Sequence, residues 1–136
     1  MDTKPNAVNN VKARNSILII DDEPDLCFML SNCLNMKGFK VKEAYNGKEG
    51  LAAVRESRPD LIILDVKMPE MGGFEVLKHL KADEKHAKIP VIMLTAKKEP
   101  ENFGKGTQLG ADFYLPKPCN LSDLLDFIKI VLKDEE

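Results

Sequence analysis

A run of four apolar residues, Leu61–Leu64, ends in the carboxylate of Asp65, and a loop containing Pro69, Gly72 and Gly73 follows. An apolar run of this length between turn signals is typical of a strand buried on both faces of a sheet. Asp65 would then stand at the carboxyl end of that strand, which is where ligands bind in open α/β sheets. Taken alone, the pattern leaves two interpretations open: a reactive carboxylate, or an aspartate that caps the next loop.

Four further segments are predicted to be strands, and segments with helical spacing separate them. With 61–65, the predicted strands are 16–20, 39–45, 90–95 and 112–115, and the predicted helices are 24–37, 48–57, 74–83, 100–109 and 121–133. This alternation predicts a doubly wound α/β fold in which five helices cover a five-stranded parallel sheet. Lys40 and Lys42 make the second strand the most polar, which favours an edge position for it.

Length, charge and cysteine content limit the number of domains, the kinds of partner and the cellular compartment that the sequence predicts. The 136 residues fit one domain, predicted over 16–136, and Met1–Asn15 has no apolar period and is interpreted as a flexible leader. A net charge of -2 gives no indication of nucleic-acid binding, and no segment is apolar enough to predict a signal peptide or a membrane span. Cys27, Cys33 and Cys119 lack metal-ligand spacing, so we expect reduced thiols in a cytoplasmic protein.

Apolar residues at helical spacing predict which face of each helix packs on the sheet. The predicted inward residues are Leu26, Met29, Leu30, Cys33 and Leu34 in the first helix, and Leu51, Ala52 and Val54 in the second. Cys27 and Phe28 fall off the main stripe of the first helix, and Leu26 lies near its border. His79 and His86 are expected to be solvated and are given no role.

Polar residues stand at the ends of four predicted strands. They are Asp21 and Asp22 after the first, Asp65 in the third, Thr95 in the fourth, and Lys117 just beyond the fifth. Because the ends of parallel strands meet at one edge, three carboxylates would gather there and repel one another unless a cation lay between them. Hard oxygen ligands suit Mg²⁺, and a lysine and a hydroxyl beside it could hold a phosphoryl group.

Each of these residues also has a structural explanation. Asp22 could cap a helix, Thr95 could be an ordinary strand hydroxyl, and Lys117 could be a surface charge. All of these explanations would have to hold at once, although every residue falls at a strand end. The functional interpretation is therefore favoured.

Four segments resemble, in order and spacing, the motifs of the receiver domains of two-component response regulators, the superfamily of the chemotaxis regulator. They are 19–24, 60–69, 94–96 and 110–118, and the resemblance extends from Ser16 to the C-terminus. It implies a flavodoxin-like receiver fold with strand order 2-1-3-4-5. It also implies that Asp65 accepts a phosphoryl group from a histidine kinase or a histidine phosphotransfer protein.

The resemblance assigns the remaining site residues. The implied Mg²⁺ ligands are Asp21, Asp22, Asp65 and the backbone carbonyl of Lys67. The implied phosphate-binding residues are Val66, Thr95, Ala96 and Lys117. Lys67 and Lys97 follow Asp65 and Thr95 by two residues and flank the expected path of the hydrolytic water, and Lys117-Pro118 is a candidate for the family's cis peptide.

The family's switch also maps onto the chain. Thr95 would move toward a phosphoryl oxygen, and Tyr114 would turn inward to fill the vacated space, shifting the domain between two packings. The alternative for Tyr114 is an ordinary half-buried strand aromatic. Gly104 and Gly106 weaken the fourth predicted helix, as expected of a segment that rearranges. The helix could equally tolerate the two glycines without any rearrangement.

Partners are expected at two surfaces. Leu26, Phe28 and Pro118 are predicted to form an exposed apolar patch that docks the kinase, unless Phe28 instead folds over Leu34 or the leader. A downstream protein target would bind the face made by the fourth helix, fifth strand and last helix. We expect a monomer or weak homodimer, with neither nucleic acid nor membrane as a partner.

Three classes of function compete for this sequence. The favoured one is a signalling switch that takes part in its own phosphotransfer and dephosphorylation but is otherwise not an enzyme, without a DNA-binding output domain in this chain. An aspartyl-phosphate phosphatase would need an acid at the position of Lys67. A receiver-shaped scaffold that is never phosphorylated would commonly lack one of the acids or the lysine, and none is missing.

Overall fold

The computed structural model of the chain describes residues 15–96 and 110–132. The predicted leader up to residue 14, Lys97, the predicted fourth helix at 100–109 with its two glycines, and Lys133 lie outside these ranges. The strands are β1 Ser16–Ile20, β2 Lys40–Ala44, β3 Leu61–Asp65, β4 Val91–Ala96 and β5 Phe113–Lys117. The helices are α1 Pro24–Met36, α2 Gly47–Glu56, α3 Gly73–Ala82 and α4 Leu121–Leu132.

The five strands form one parallel sheet in the order β2-β1-β3-β4-β5. This confirms the predicted doubly wound fold and its strand order, with four of the five predicted helices inside the described ranges. The polar strand β2 is at an edge, with Lys40 and Lys42 exposed. Charged side chains on an edge strand disfavour pairing with another chain. Pro116 lies in β5 at the opposite edge, where its missing N–H is tolerated.

Two apolar clusters cover the two faces of the sheet. Successive residues of a strand point to opposite faces, so Ile17 and Ile19 join the cluster under α1 and α4, whereas Leu18 and Ile20 join the cluster under α2 and α3. Strand β3 is buried along its whole length because helices cover both of its faces. In the part of the chain that the structure describes, no helix combines the length and the apolar character needed to cross a bilayer.

Two aspartates lock the amino-terminal ends of neighbouring strands. The Ser16 N–H donates to Asp60 Oδ2 at 2.7 Å, and the Asp60 N–H donates to the Ser16 carbonyl at 2.9 Å. In the same way the Val91 N–H donates to Asp112 Oδ2 at 2.9 Å, and the Asp112 N–H donates to the Val91 carbonyl at 2.9 Å. These reciprocal pairs set the register of β1 with β3 and of β4 with β5, which fixes where each strand ends.

The predicted inward face of α1 is wrong by about one residue. Its buried residues are Cys27, Leu30, Ser31 and Leu34, while Met29 is 46% exposed and Cys33 is only half-buried. The helix buries Cys27 and Ser31 because both side chains find partners at the interface. The Cys27 thiol donates to the Asp21 carbonyl at 3.4 Å, and the Ser31 hydroxyl donates to the Glu43 carboxylate.

The environment of Cys27 keeps it protonated. Burial raises the pKa of its thiol to about 12, and the negative charge of Asp21 adds to the effect. The thiol can therefore act as a hydrogen-bond donor at neutral pH. All three cysteines are free, as the sequence predicts.

Two further side-chain predictions are wrong. Ala52 is exposed, and the inward face of α2 is formed by Gly47, Gly50 and Val54, with Leu51 half-buried. A Cβ at Gly50 would lie 2.5 Å from Ile20 Cδ1, so the glycine allows α2 to approach the sheet closely. The side chain of His86 is only 11% exposed, and its Nδ1 lies 3.1 Å from Asp83 Oδ2, whereas His79 is 54% exposed as expected.

Candidate functional site

The residues predicted to form the site lie together at the carboxyl edge of the sheet. Asp21 directly follows β1, Asp65 is the last residue of β3, Thr95 is the penultimate residue of β4, and Lys117 ends β5. The register places Asp65 opposite Leu94 and Lys117 opposite Ala96. The strand ends are therefore level with one another, and side chains distant in sequence meet.

One ammonium group bridges the two buried carboxylates. Lys117 Nζ lies 3.1 Å from Asp21 Oδ2 and 3.1 Å from Asp65 Oδ1. Asp21 is fully buried, Asp65 is 3% exposed, and the Lys117 side chain is 19% exposed. Removing Lys117 would leave two buried carboxylates close together without a compensating positive charge, which is strongly destabilising.

Three carboxylates are close enough to bind a single metal ion. One oxygen from each of Asp21, Asp22 and Asp65 lies within 4.8 Å of the others, and Asp22 is the most accessible of the three. Asp21 Oδ1 accepts a hydrogen bond from the Glu23 N–H at 3.0 Å, whereas within the described residues the Lys117 ammonium is the close partner of the buried Oδ2. These hard oxygen donors match the preference of Mg²⁺, so the residues present fit that ion.

Burial and charge raise the pKa of both buried acids. Burial raises the pKa of Asp65 to about 7, the negative charge of Asp21 adds to this, and Lys117 acts in the opposite direction. The pKa of Asp21 is also raised, mainly by burial. Burial lowers the pKa of Lys117, but Asp65 and Asp21 together outweigh it, so that pKa is raised. A divalent cation beside these carboxylates would favour their ionised forms.

Thr95 and Tyr114 occupy neighbouring strands near the site. Thr95 is fully buried, and Tyr114 is half-buried against the cluster under α2 and α3, with its hydroxyl oxygen inaccessible to solvent. The register pairs Tyr114 with Met93, two residues before Thr95. The peptide bond between Lys117 and Pro118 is cis, as predicted.

Val66 directly follows Asp65 at the carboxyl end of β3. Its backbone N–H donates to the Leu94 carbonyl at 2.9 Å, and its apolar side chain is 8% exposed. The hydrogen bond to Leu94 continues the sheet ladder, and the phosphate-binding role of Val66 stays a prediction. Lys67, the next residue, has an exposed side chain.

The predicted docking patch is only partly exposed. Phe28 is 65% exposed and Pro118 is exposed, but Leu26 is half-buried against the cluster under α1 and α4. Cys27 lies off this surface because it is fully buried, and Met29, predicted to be inward, is exposed instead.

Sequence reasoning missed two residues of the site. The sequence marks Gly73 only as part of a loop, yet its N–H donates to the Val66 carbonyl at 2.8 Å, and a Cβ there would meet the Asp65 carbonyl. Glu23 has no role in the sequence-based site, yet its Oε1 lies 3.6 Å from Lys117 Nζ. The signal for Glu23 was a third consecutive acid before Pro24.

Comparison with known proteins identifies relatives over most of the chain. The family model described as the response regulator receiver domain matches residues 17–129. The phosphate regulon transcriptional regulatory protein PhoB of Pseudomonas aeruginosa is 41% identical over 118 residues, which cover 87% of this chain and 52% of that protein. The transcriptional regulatory protein CpxR of Klebsiella pneumoniae is 41% identical over 119 residues, which cover 88% of this chain and 50% of that protein. The chain thus spans about half the length of these relatives.

Solved structures match over nearly their whole length. The chemotaxis protein CheY4 of Vibrio cholerae superposes with a TM-score of 0.81 and 36% identity, covering 87% of this chain and 98% of that one. The receiver domain of the Francisella response regulator 1452 superposes with a TM-score of 0.83 and 28% identity, covering 90% of this chain and 100% of that one.

Proposed function

Because the chain belongs to the response regulator receiver domain family of two-component systems, we propose that Asp65 is the residue at which it is phosphorylated. Receiver domains are phosphorylation-dependent signalling switches. The observation that carries the assignment to Asp65 is its buried carboxylate, which lies 3.1 Å from the Lys117 ammonium and within metal-binding distance of Asp21 and Asp22.

The side chains around Asp65 have separate roles in phosphoryl transfer. An Asp65 oxygen attacks the phosphorus of the donor in line, and the Lys117 ammonium offsets the negative charge on the transferring group. Asp21, Asp22, Asp65 and the Lys67 carbonyl would hold Mg²⁺. When bound, Mg²⁺ supplies positive charge at the oxygens of the phosphoryl group and of the acids.

The fully buried Thr95 hydroxyl is proposed to donate to a phosphoryl oxygen, with the backbone of Ala96 beside it. Movement of Thr95 toward that oxygen would open space near the sheet edge, and Tyr114 would turn into it. Tyr114 packs against the cluster under α2 and α3 with its hydroxyl oxygen already inaccessible to solvent, so this turn would bury the part of the ring that is still exposed. Phosphorylation would thus favour one of two pre-existing packings.

Receiver domains take their phosphoryl group from histidine kinases or histidine phosphotransfer proteins. For this chain we propose docking of that partner on the exposed residues Phe28 and Pro118, next to the half-buried Leu26. A downstream protein would bind the face around β5 and α4. We propose a cytoplasmic protein that is a monomer or weak homodimer. The transcriptional roles named for PhoB and CpxR are not assigned to residues 15–132, which correspond to a receiver alone.

The test is the intact mass of the protein after incubation with acetyl phosphate and Mg²⁺. The wild-type chain should gain the mass of one phosphoryl group, and Asp65→Asn, which keeps the shape of the side chain, should gain none. Asp60→Asn is a matched control, because Asp60 lies at the other end of β3 and should not affect the adduct if the variant is folded. An adduct that persists in folded Asp65→Asn would refute the assignment.

A further inference from the structure

The backbone of Glu23 is held on both sides. It occupies the N-cap position of α1, where its N–H donates to Asp21 Oδ1 at 3.0 Å and its carbonyl accepts from the Cys27 N–H at 3.1 Å. These two hydrogen bonds tie the residue both to the acidic site and to the first turn of α1. The position from which its side chain extends is therefore fixed.

The Glu23 side chain does not cap the helix. N-cap side chains commonly accept a hydrogen bond from the first turn, but Glu23 makes none. Its Oε1 lies instead 3.6 Å from Lys117 Nζ, and the side chain is 62% exposed. Lys117 thus faces three carboxylates, two from buried residues at 3.1 Å and one on the solvent side.

The third carboxylate is not needed to hold the ammonium in place. Asp21 and Asp65 already do so at the shorter distances and from buried positions, where charges interact more strongly. What Glu23 adds is negative charge on the accessible side of Lys117. That charge competes for the ammonium which a transferring phosphoryl group requires, and it repels an anion approaching from solvent.

We propose that Glu23 is a specificity-determining residue that opposes phosphodonors of high negative charge, an inference that rests on the proposed role of Asp65. In the transfer, an Asp65 oxygen forms a bond to phosphorus while the bond from phosphorus to the donor's leaving oxygen or nitrogen breaks. The leaving group keeps the electron pair. Glu23 takes no part in these bonds; it acts only through the field at Lys117 and the incoming phosphoryl group.

The experiment compares two small donors at saturating Mg²⁺ and neutral pH. Acetyl phosphate is then a dianion, and phosphoramidate is predominantly a monoanion. Glu23→Gln should be phosphorylated about two- to fivefold faster than wild type by acetyl phosphate at low salt, the size expected of one exposed charge, and less so by phosphoramidate. High salt should shrink the difference, because it screens an exposed charge.

Two controls separate this effect from others. Asp25→Asn removes the same charge from an exposed position in the first turn of α1 and should leave the ratio of the two rates unchanged. Each protein is compared at its own saturating Mg²⁺, because loss of the Glu23 charge should also weaken Mg²⁺ binding at the neighbouring three-carboxylate cluster. A purely structural role for Glu23 would not produce a dependence on donor charge.

Three results would overturn the inference. They are an equal acceleration with both donors, an acceleration matched by Asp25→Asn, and a slower reaction of Glu23→Gln, which would mean that Glu23 is needed to hold Lys117. Failure of the proposed function looks different: the wild-type chain itself would then form no adduct with either donor, and the inference would fall with it.

Discussion

Gly73 lies directly against the backbone of Asp65. A Cβ at Gly73 would be 2.1 Å from the Asp65 carbonyl oxygen and 2.9 Å from Val66 Cα, closer than any side chain tolerates. The first turn of α3 therefore packs on the strand end that carries the proposed phosphoacceptor. The position of that carboxylate depends on the absence of a side chain in the next helix.

Replacing Gly73 should consequently damage both stability and the site. We expect Gly73→Ala to lower the free energy of unfolding by about 3 kcal/mol, because the methyl group meets backbone rather than a flexible side chain. Phosphorylation by acetyl phosphate should also slow, since Asp65 must shift. Urea denaturation and the intact-mass assay measure the two effects.

Gly38→Ala is the matched control for this prediction. Gly38 has a φ of 99°, but a Cβ there would have no atom within 4 Å. Gly38→Ala should lower the free energy of unfolding by about 1–2 kcal/mol, because alanine is strained at a positive φ. The phosphorylation rate of the folded protein should be unchanged. A Gly73→Ala protein as stable and as quickly phosphorylated as Gly38→Ala would contradict the close packing.

The raised pKa of Asp65 predicts how the metal-free protein responds to pH. With a native pKa of about 7 against 3.8 for an ordinary aspartate, the native state holds a proton that the unfolded chain releases. Stability from this group is therefore present below about pH 4 and is lost as pH rises to about 7. In EDTA, the free energy of unfolding of wild type should fall by about 2 kcal/mol or more between about pH 4 and pH 7, relative to that of Asp65→Asn.

Denaturation curves at several pH values test this, with Mg²⁺ as the second variable. Above about pH 7 the ion should stabilise wild type more than Asp65→Asn, because it binds the native carboxylates and not the unfolded chain. Parallel pH profiles of the two proteins in EDTA would show that Asp65 titrates as an ordinary acid.

The exposed ring of Phe28 predicts that a substitution there affects phosphorylation by a kinase but not phosphorylation by a small donor. The test uses a histidine kinase that is known to phosphorylate the wild type. Phe28→Asp should slow phosphoryl transfer from this kinase about tenfold, the effect typical of one interface anchor. Phosphorylation by acetyl phosphate should be unchanged, since small donors do not need the docking surface. Met36→Asp, an 85% exposed position at the opposite end of α1, should affect neither rate. An equal decrease in rate with the kinase and with acetyl phosphate would mean that Phe28 is needed for folding or for the chemical step instead.

The hydrogen bond from Ser31 to Glu43 fixes α1 on the edge strand. Ser31→Ala removes the donor and leaves a half-buried carboxylate short of a partner, so we expect a loss of about 1–2 kcal/mol in unfolding free energy. Asn32→Ala, at the next and exposed position, should change stability little. If Ser31→Ala lowers the free energy of unfolding by the same amount in the wild-type and Glu43→Ala backgrounds, the two residues are not coupled.

The sheet and its functional edge could be predicted from sequence because each rests on a local signal. The apolar run ending in Asp65 marks a buried central strand, and Lys40 and Lys42 mark an edge strand. Once the strands are parallel, their polar ends must meet at one edge. The helices begin and end near the predicted residues, and in α1 Pro24 and Gly38 mark both limits.

The side-chain details that failed depend on contacts distant in sequence. Nothing near Ser31 reveals that Glu43 on β2 will accept its hydrogen bond, so the apolar spacing predicts Met29 and not Ser31 on the inward face. The approach of Gly73 to Asp65 likewise depends on how α3 meets β3. The contact between Glu23 and Lys117 requires the full order of the sheet to be known.

The paired aspartates at the amino-terminal ends of the strands have a consequence for how such a domain can diversify. Asp60 and Asp112 hold strand alignment from the end opposite the chemistry. Loops and side chains around Asp65 can then be exchanged for those of a relative without the strands slipping past each other. Grafting a different specificity onto this scaffold should therefore succeed at one rim and fail at the other.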